Sequence, residues 1–302
     1  MYNNVNALLQ NEKHPELYSM DMETDNRAYL GIKNPIERFY VYKSGNVDKQ
    51  SAYQGAVRYR ELNDSVSQSI VDCDSCDLIK DVFRLLWPQA VADNCNSFIN
   101  GQHGDTMTSL QHSLNLAFSL VETDEDRRKY FKGRKVSLAY QIEILYYDKK
   151  FLSRMKKIKG FETFAGMYHT IGNFIPVPPM FNSSRSNFGE DDYWDVTLSY
   201  IKQWYDTRDN NVIAALLHKT NPNDKAVFYC VKWLSWFGTW TNFITMNYLQ
   251  DFINPKTLAP ILFKPRTARE TTAFFKTCST LIERRGKRMI EELRKYWGSI
   301  LR

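Results

Sequence analysis
The chain of 302 residues lacks most of the short patterns that announce a familiar chemistry. It has no GxxxxGKS/T loop and no GxGxxG before a helix, which excludes the two common glycine-rich phosphate cradles. It has no HExxH and no second CxxC to complete a zinc site. Cys73 and Cys76 form a lone CxxC without a nearby histidine, short of the four ligands a structural zinc needs. No serine-histidine-acid set is visible from spacing, since a triad is defined by geometry. The five cysteines are odd in number and scattered, and no N-terminal apolar run resembles a signal peptide. Together these predict a reduced, cytoplasmic setting rather than a disulfide framework. Internal repeats, low-complexity tracts and linkers are lacking too. A single domain over residues 1–302 is expected, with 1–60 a less regular N-terminal segment.

What is present is apolar and aromatic material, and positive charge in particular places. Hydrophobic residues make up 43% of the chain and aromatics 14%, enough for a sizeable core. The net charge of +6 is mild, but the run Arg127–Lys159 concentrates Arg127, Arg128, Lys129, Lys132, Arg134, Lys135, Lys149, Lys150, Arg154, Lys156, Lys157 and Lys159 against only Glu143 and Asp148. A second cluster holds Arg284, Arg285, Lys287 and Arg288. Such clusters suit phosphates. They also suit a plain solvated helix face. The candidate nucleic-acid contacts are Arg134, Lys135, Lys149, Lys150, Arg154, Lys156, Lys157, Arg284, Arg285 and Arg288.

Apolar spacing predicts a mainly α chain with a minor β element. Glu37–Lys43 reads as a short strand, and Pro260–Pro265 could hold another. Helices are expected over Asp77–Trp87, Val136–Tyr147, Phe151–Ile158 and Phe161–Tyr168. In Gly101–Ser119, Asp105 is the expected N-cap of a helix with Met107, Leu110, Leu114 and Phe118 on its apolar stripe; His103 and His112 lie off it. Asn187 and Glu190 form a capping-box-like start, with Glu190, Asp191 and Asp192 in a first turn where the helix dipole favours them. The stripe Trp194, Leu198, Ile201 and Tyr205 follows. Asn221–Asp224 should turn into Ala226–Phe252, a buried helix pair broken near Gly238 rather than a membrane span, because Lys232 and scattered polar residues interrupt it. Thr267 and Glu270 should cap a last helix through Phe274, Cys278, Leu281, Arg285, Met289 and Leu293 to Trp297.

The densest polar stretch is Tyr168–Asp195, broken by Gly172, Pro176, Pro178 and Pro179. Its side chains, with Asp105, make the candidate catalytic set: His169, Asn173, Asn182, Arg185 and Asp105, with Asp192 beside them. Histidine can serve as base or metal ligand, asparagine can orient a water, and arginine can stabilise developing phosphate charge. Phosphodiester cleavage uses this inventory. So does an inert network that satisfies the backbone of an irregular loop. The segment 169–185 is expected to fold back over the following helix start, with Asp105 joining it. Asp191 and Asp192 then either face away or neutralise Arg185. Gly172 is expected in a turn conformation that disfavours a side chain.

The motifs DTMTS at Asp105–Ser109, YHTIGNFIPVP at Tyr168–Pro178, DYWD at Asp192–Asp195 and ERRGKRM at Glu283–Met289 resemble those of a family of uncharacterised bacterial and phage-borne proteins, over the chain from about residue 75. That resemblance implies no established activity. Locally, TIGNFIPVPPMFNSSRSNF is similar to a segment of HNH-type nucleases of the GmrSD restriction family, with Asn173 and Asn182 at the asparagine positions. Those nucleases carry an earlier His-x-x-Pro; here LLWPQ, Leu85–Gln89, has Leu85 in place of that histidine. The metal site this likeness implies is therefore incomplete.

These readings lead to three expectations. The first is a protein of bacterial or mobile-element origin that binds or cleaves nucleic acid, in phage defence or as a toxin, with a divalent metal only if it cleaves. The second is a non-catalytic interaction module whose basic face meets an acidic protein partner. The third is a small-molecule hydrolase or nucleotide-binding enzyme. No membrane partner is expected.

Overall fold
A computed structural model describes residues 85–87, 104–106, 117–131, 144, 148–167, 171–185, 194–261 and 265–300. Among these the chain is mainly α. The expected strand Glu37–Lys43, the Cys73–Cys76 pair, His103, His112, the helix Val136–Tyr147 apart from buried Ile144, and the Asn187–Glu190 helix start lie outside them.

The first described cap is at Thr123. Its hydroxyl accepts from the Asp126 N–H at 3.2 Å and the Asp126 carboxylate accepts from the Thr123 N–H at 2.7 Å. This reciprocal pair opens the single turn α1 (Asp124–Asp126), which continues as a π-helical turn over Arg127–Phe131. Asp148 caps α2 (Lys149–Met155) by accepting from the Lys150 and Phe151 N–H groups. A tight turn leads into α3 (Phe161–Met167).

The GDTMTS stretch departs from expectation. Gly104–Thr106 is not a helix start but a strand, β1, antiparallel to β2 (Phe174–Pro176), with Gly104 opposite Pro176, Asp105 opposite Ile175 and Thr106 opposite Phe174. Phe174, Ile175 and Pro176 are all buried, so their main-chain groups need partners that water cannot supply. A second strand meets part of that demand, which outweighs Asp105's local preference for a helix cap. Over Pro260–Pro265 the described residues show only an isolated bridge between Ile253 and Pro260.

From α4 (Phe181–Arg185) the chain runs through α5 (Trp194–Thr207), α6 (Asn210–Leu216), α7 (Lys225–Phe237) and α8 (Trp240–Met246). The expected stripe of α5 is buried in full: Trp194, Leu198, Ile201 and Tyr205. The α7–α8 pair breaks where predicted. Asp224 caps α7 through the Ala226 N–H, Gly238 ends it with φ 72°, and the Thr239 hydroxyl caps α8 through the Asn242 N–H. A left-handed residue is what the stop requires, and glycine takes it without strain. Trp233 packs edge-on against Phe181, Phe237 and Phe243, while Trp240 stacks on Phe243. The Tyr205 hydroxyl donates to the Leu234 carbonyl at 2.6 Å, giving its buried polar end a partner.

The last helix, α9 (Ala268–Ile300), is 33 residues and about 50 Å long. Thr267 caps it through the Glu270 N–H at 3.2 Å, and Glu270 reaches back to the Arg266 N–H at 2.7 Å. Its stripe Phe274, Cys278, Leu281, Arg285, Met289 and Leu293 is buried as the spacing predicts, the arginine included. On this helix rest α3 and the 3-10 turn Ile171–Asn173; the 3-10 turn Gln250–Phe252 meets it as well. α9 is thus the spine that fixes the polar stretch. No helix among the described residues is long and apolar enough to cross a membrane.

Candidate functional site
The polar stretch is held to α9 by one side chain. Arg285 has no exposure to solvent. Its Nε donates to the Asn247 carbonyl at 2.9 Å, and its Nη1 donates to the carbonyls of Gly172 and Phe174, both at 2.7 Å. Asn247 is the C-cap of α8, where carbonyls lack helical partners and a cation is favoured. One guanidinium therefore joins three elements: α9, the end of α8, and the turn leading into β2. Burial pushes its pKa down to about 9, against the opposing effect of Tyr248, so it remains cationic at neutral pH. Arg285 was a candidate nucleic-acid contact; its burial corrects that assignment. A cation spent on three carbonyls inside the core has no access to a phosphate.

Gly172 also departs from its expected role. It does not adopt a positive φ. The turn lies so close to α9 that a Cβ at Gly172 would meet the Ile282 carbonyl oxygen at 1.9 Å and the Gly286 nitrogen at 2.7 Å. Glycine is required by proximity to another backbone, not by its own torsion.

The candidate catalytic residues divide. Asn173 is fully buried, at the end of the 3-10 turn. Arg185 is 2% exposed, lies over the rings of Phe181 and Trp194 at 5.4 and 5.5 Å, and donates to the Thr197 hydroxyl at 3.2 Å. It joins α4 to α5 and sits away from solvent. Asn182 is half-buried on α4. The β1–β2 ladder brings the Asp105 backbone beside Ile175, two residues after Asn173, by strand pairing and not from the helix start that was expected, and the helix start near Asn187 lies outside the described residues. His169 and Asp192 lie outside the described residues. No cluster of three or more metal-binding side chains occurs among the described residues.

The basic segment has a different character. Arg127, Arg128, Lys129, Lys149, Lys150, Lys156, Lys157 and Lys159 are exposed. The acids near them are largely engaged. Buried Asp126 takes Arg154 at 2.6 Å, Glu122 takes Arg127 at 2.8 Å, and Glu162 takes Lys156 at 2.9 Å. Asp148 accepts from the Tyr130 hydroxyl at 2.8 Å besides capping α2. Burial alone would raise the Asp148 carboxyl, but the Phe151 amide, the Tyr130 hydroxyl, the Lys129 ammonium and the Lys150 amide outweigh it and hold it below its ordinary value. Arg154 is half-buried, also donates to the Val121 carbonyl at 2.9 Å, and so serves the interior more than the surface. Arg134 and Lys135 lie outside the described residues. In the second cluster Arg288 pairs with Asp251 at 2.5 Å and Arg284 lies 3.9 Å from the same carboxylate, which offsets part of that charge.

The clamp role of Arg285 had one signal in the sequence: a charged residue in register with an apolar stripe. Its partners had none, because carbonyls of residues 172, 174 and 247 carry no sequence signature.

Comparison with protein-family models, with curated proteins and with solved structures finds no match for this chain.

Proposed function
We propose that this protein binds nucleic acid through the exposed lysines and arginines of segment 127–159. The observation that supports this reading is the disposition of charge there. Cations including Arg128, Lys150, Lys157 and Lys159 face solvent, while Asp126 and Asp148 are turned to caps and internal partners. A surface of that sign suits a polyanion, and counterion release would make the binding strongly salt-dependent. The setting proposed for this activity is a protein of bacterial or mobile-element origin, in phage defence or as a toxin. Any cleavage would fall to His169, Asn182 and Asp105 with a divalent metal, since Arg185 and Asn173 are buried. The test is a titration with single-stranded and duplex DNA and RNA at two salt concentrations, for the natural chain and for Lys150→Ala/Lys157→Ala/Lys159→Ala. The expected result is binding at low salt that the triple variant weakens for every sequence alike. No binding at low salt refutes the reading.

A second reading is a non-catalytic interaction module with an acidic protein partner. The burial of Arg185, Asn173 and Arg285 favours it, because the polar stretch then reads as a scaffold. A stoichiometric protein partner in pull-downs, with no nuclease activity in any divalent metal, would decide for it.

A further inference from the structure
The outward face of α7 belongs neither to the core nor to the basic segment. At 100° per residue, Lys225, Phe228, Tyr229 and Lys232 fall within one arc about 100° wide. Ala226, Val227, Cys230, Trp233, Leu234 and Phe237 occupy the buried side. Phe228 is 61% exposed, more than any other large apolar side chain described. Its ring centre lies 5.8 Å from that of Tyr229, and the Lys225 ammonium lies 5.7 Å from the Tyr229 ring. Lys232 is exposed one turn beyond Phe228, and neither lysine has an ion pair among the described residues. α7 contains no carboxylate. The nearest in sequence, Asp224, is occupied as the N-cap, accepting from the Ala226 N–H at 2.8 Å.

We propose that this face of α7 binds single-stranded nucleic acid, with an unpaired base stacked on Phe228 and backbone phosphates on Lys225 and Lys232. The inference rests on the nucleic-acid reading above and narrows it to the class of strand. A ring held out in water presents the flat apolar surface that a free base can cover, and it is flanked by charges of the sign a phosphate needs. The two lysines are seven residues apart, about 10 Å along the helix. In a duplex the bases already cover one another's faces, so Phe228 has nothing to stack against and only the lysines act.

The test is fluorescence anisotropy of the full chain with a labelled oligothymidine and with a duplex of equal length, for the natural protein, Phe228→Ser and Lys225→Ala/Lys232→Ala. Circular dichroism should show the fold intact, since Phe228 faces out. Phe228→Ser is expected to weaken single-strand binding about tenfold while leaving duplex binding within about twofold. The double lysine variant should make the slope of log affinity on log salt for the single strand shallower by about 1.4. Unchanged single-strand affinity in Phe228→Ser, or equal losses on both forms, overturns the assignment to α7 and leaves the basic segment as the contact. A Phe228→Ser effect confined to protein self-association overturns it in favour of a second copy of the chain. If the natural protein binds no oligonucleotide at low salt, both this inference and the broader reading fall.

Discussion
Replacing Gly172 by alanine tests whether α9 and the turn Ile171–Asn173 are held as close as they must be for the Arg285 clamp to close. The added Cβ would sit 1.9 Å from the Ile282 carbonyl oxygen, against an ordinary carbon–oxygen approach of about 3.3 Å. The turn must therefore retreat by about 1.4 Å, and both groups in its way are backbone of a long helix that cannot rotate aside. A shift of that size takes the 2.7 Å bonds from Arg285 to the Gly172 and Phe174 carbonyls to about 4 Å, outside hydrogen-bonding range. Bonds to a charged donor contribute about 1.5–3 kcal/mol each, so the two together account for about 3–6 kcal/mol. That is a large fraction of the 5–15 kcal/mol typical of a folded protein. Thermal and urea unfolding followed by circular dichroism should show a fall in Tm of about 6 °C or more. Gly238→Ala is the control. Gly238 has φ 72° but no atom within 4 Å of its added Cβ, so only torsional strain of about 1 kcal/mol is expected. A Gly172→Ala protein melting within about 1 °C of the natural one, or a larger loss at Gly238, would refute the close-packing account.

Three further outcomes follow from the same contacts. Arg185→Ala should destabilise the fold by about 2–4 kcal/mol in urea unfolding, since it empties a buried site between two rings and strips the Thr197 hydroxyl of a donor; unaltered stability with altered activity would return Arg185 to a catalytic role. Cys230 and Cys278 are fully buried and burial raises both thiol pKa values, so site-resolved mass spectrometry after mild alkylation should find both unmodified until the chain is unfolded. The Asp148 carboxyl titrates below its ordinary value of 3.8, so the stability it contributes is present above that value and is lost as pH falls through the lower folded value. The advantage of the natural chain over Asp148→Asn should stay constant near neutrality and shrink in acid, and a gap that persists in acid would show that the carboxylate's charge is not what matters.

By itself the sequence determined the α-helical class, the buried stripes of α5 and α9, the break at Gly238, the turn at Asn221–Asp224 that starts α7 and the cap at Thr267. Each of these follows from local periodicity, a φ-tolerant residue or a side chain that reaches its own helix's first N–H groups, and such causes act within a few residues. Only the tertiary structure decided the role of Asp105, where the unmet main-chain groups of Phe174–Pro176 recruit a strand against local preference. It also decided the fate of the charged residues. Arg285 and Lys287 look alike in the run ERRGKRM, yet one lies on the inner face of α9 and clamps three carbonyls while the other is exposed beside Glu283. The demand that buries Arg285 comes from carbonyls 38, 111 and 113 residues away in the chain. Spacing along a helix can show which face a residue occupies, but not what waits there, because a backbone carbonyl is present at every position and becomes a partner only where the fold leaves it without one.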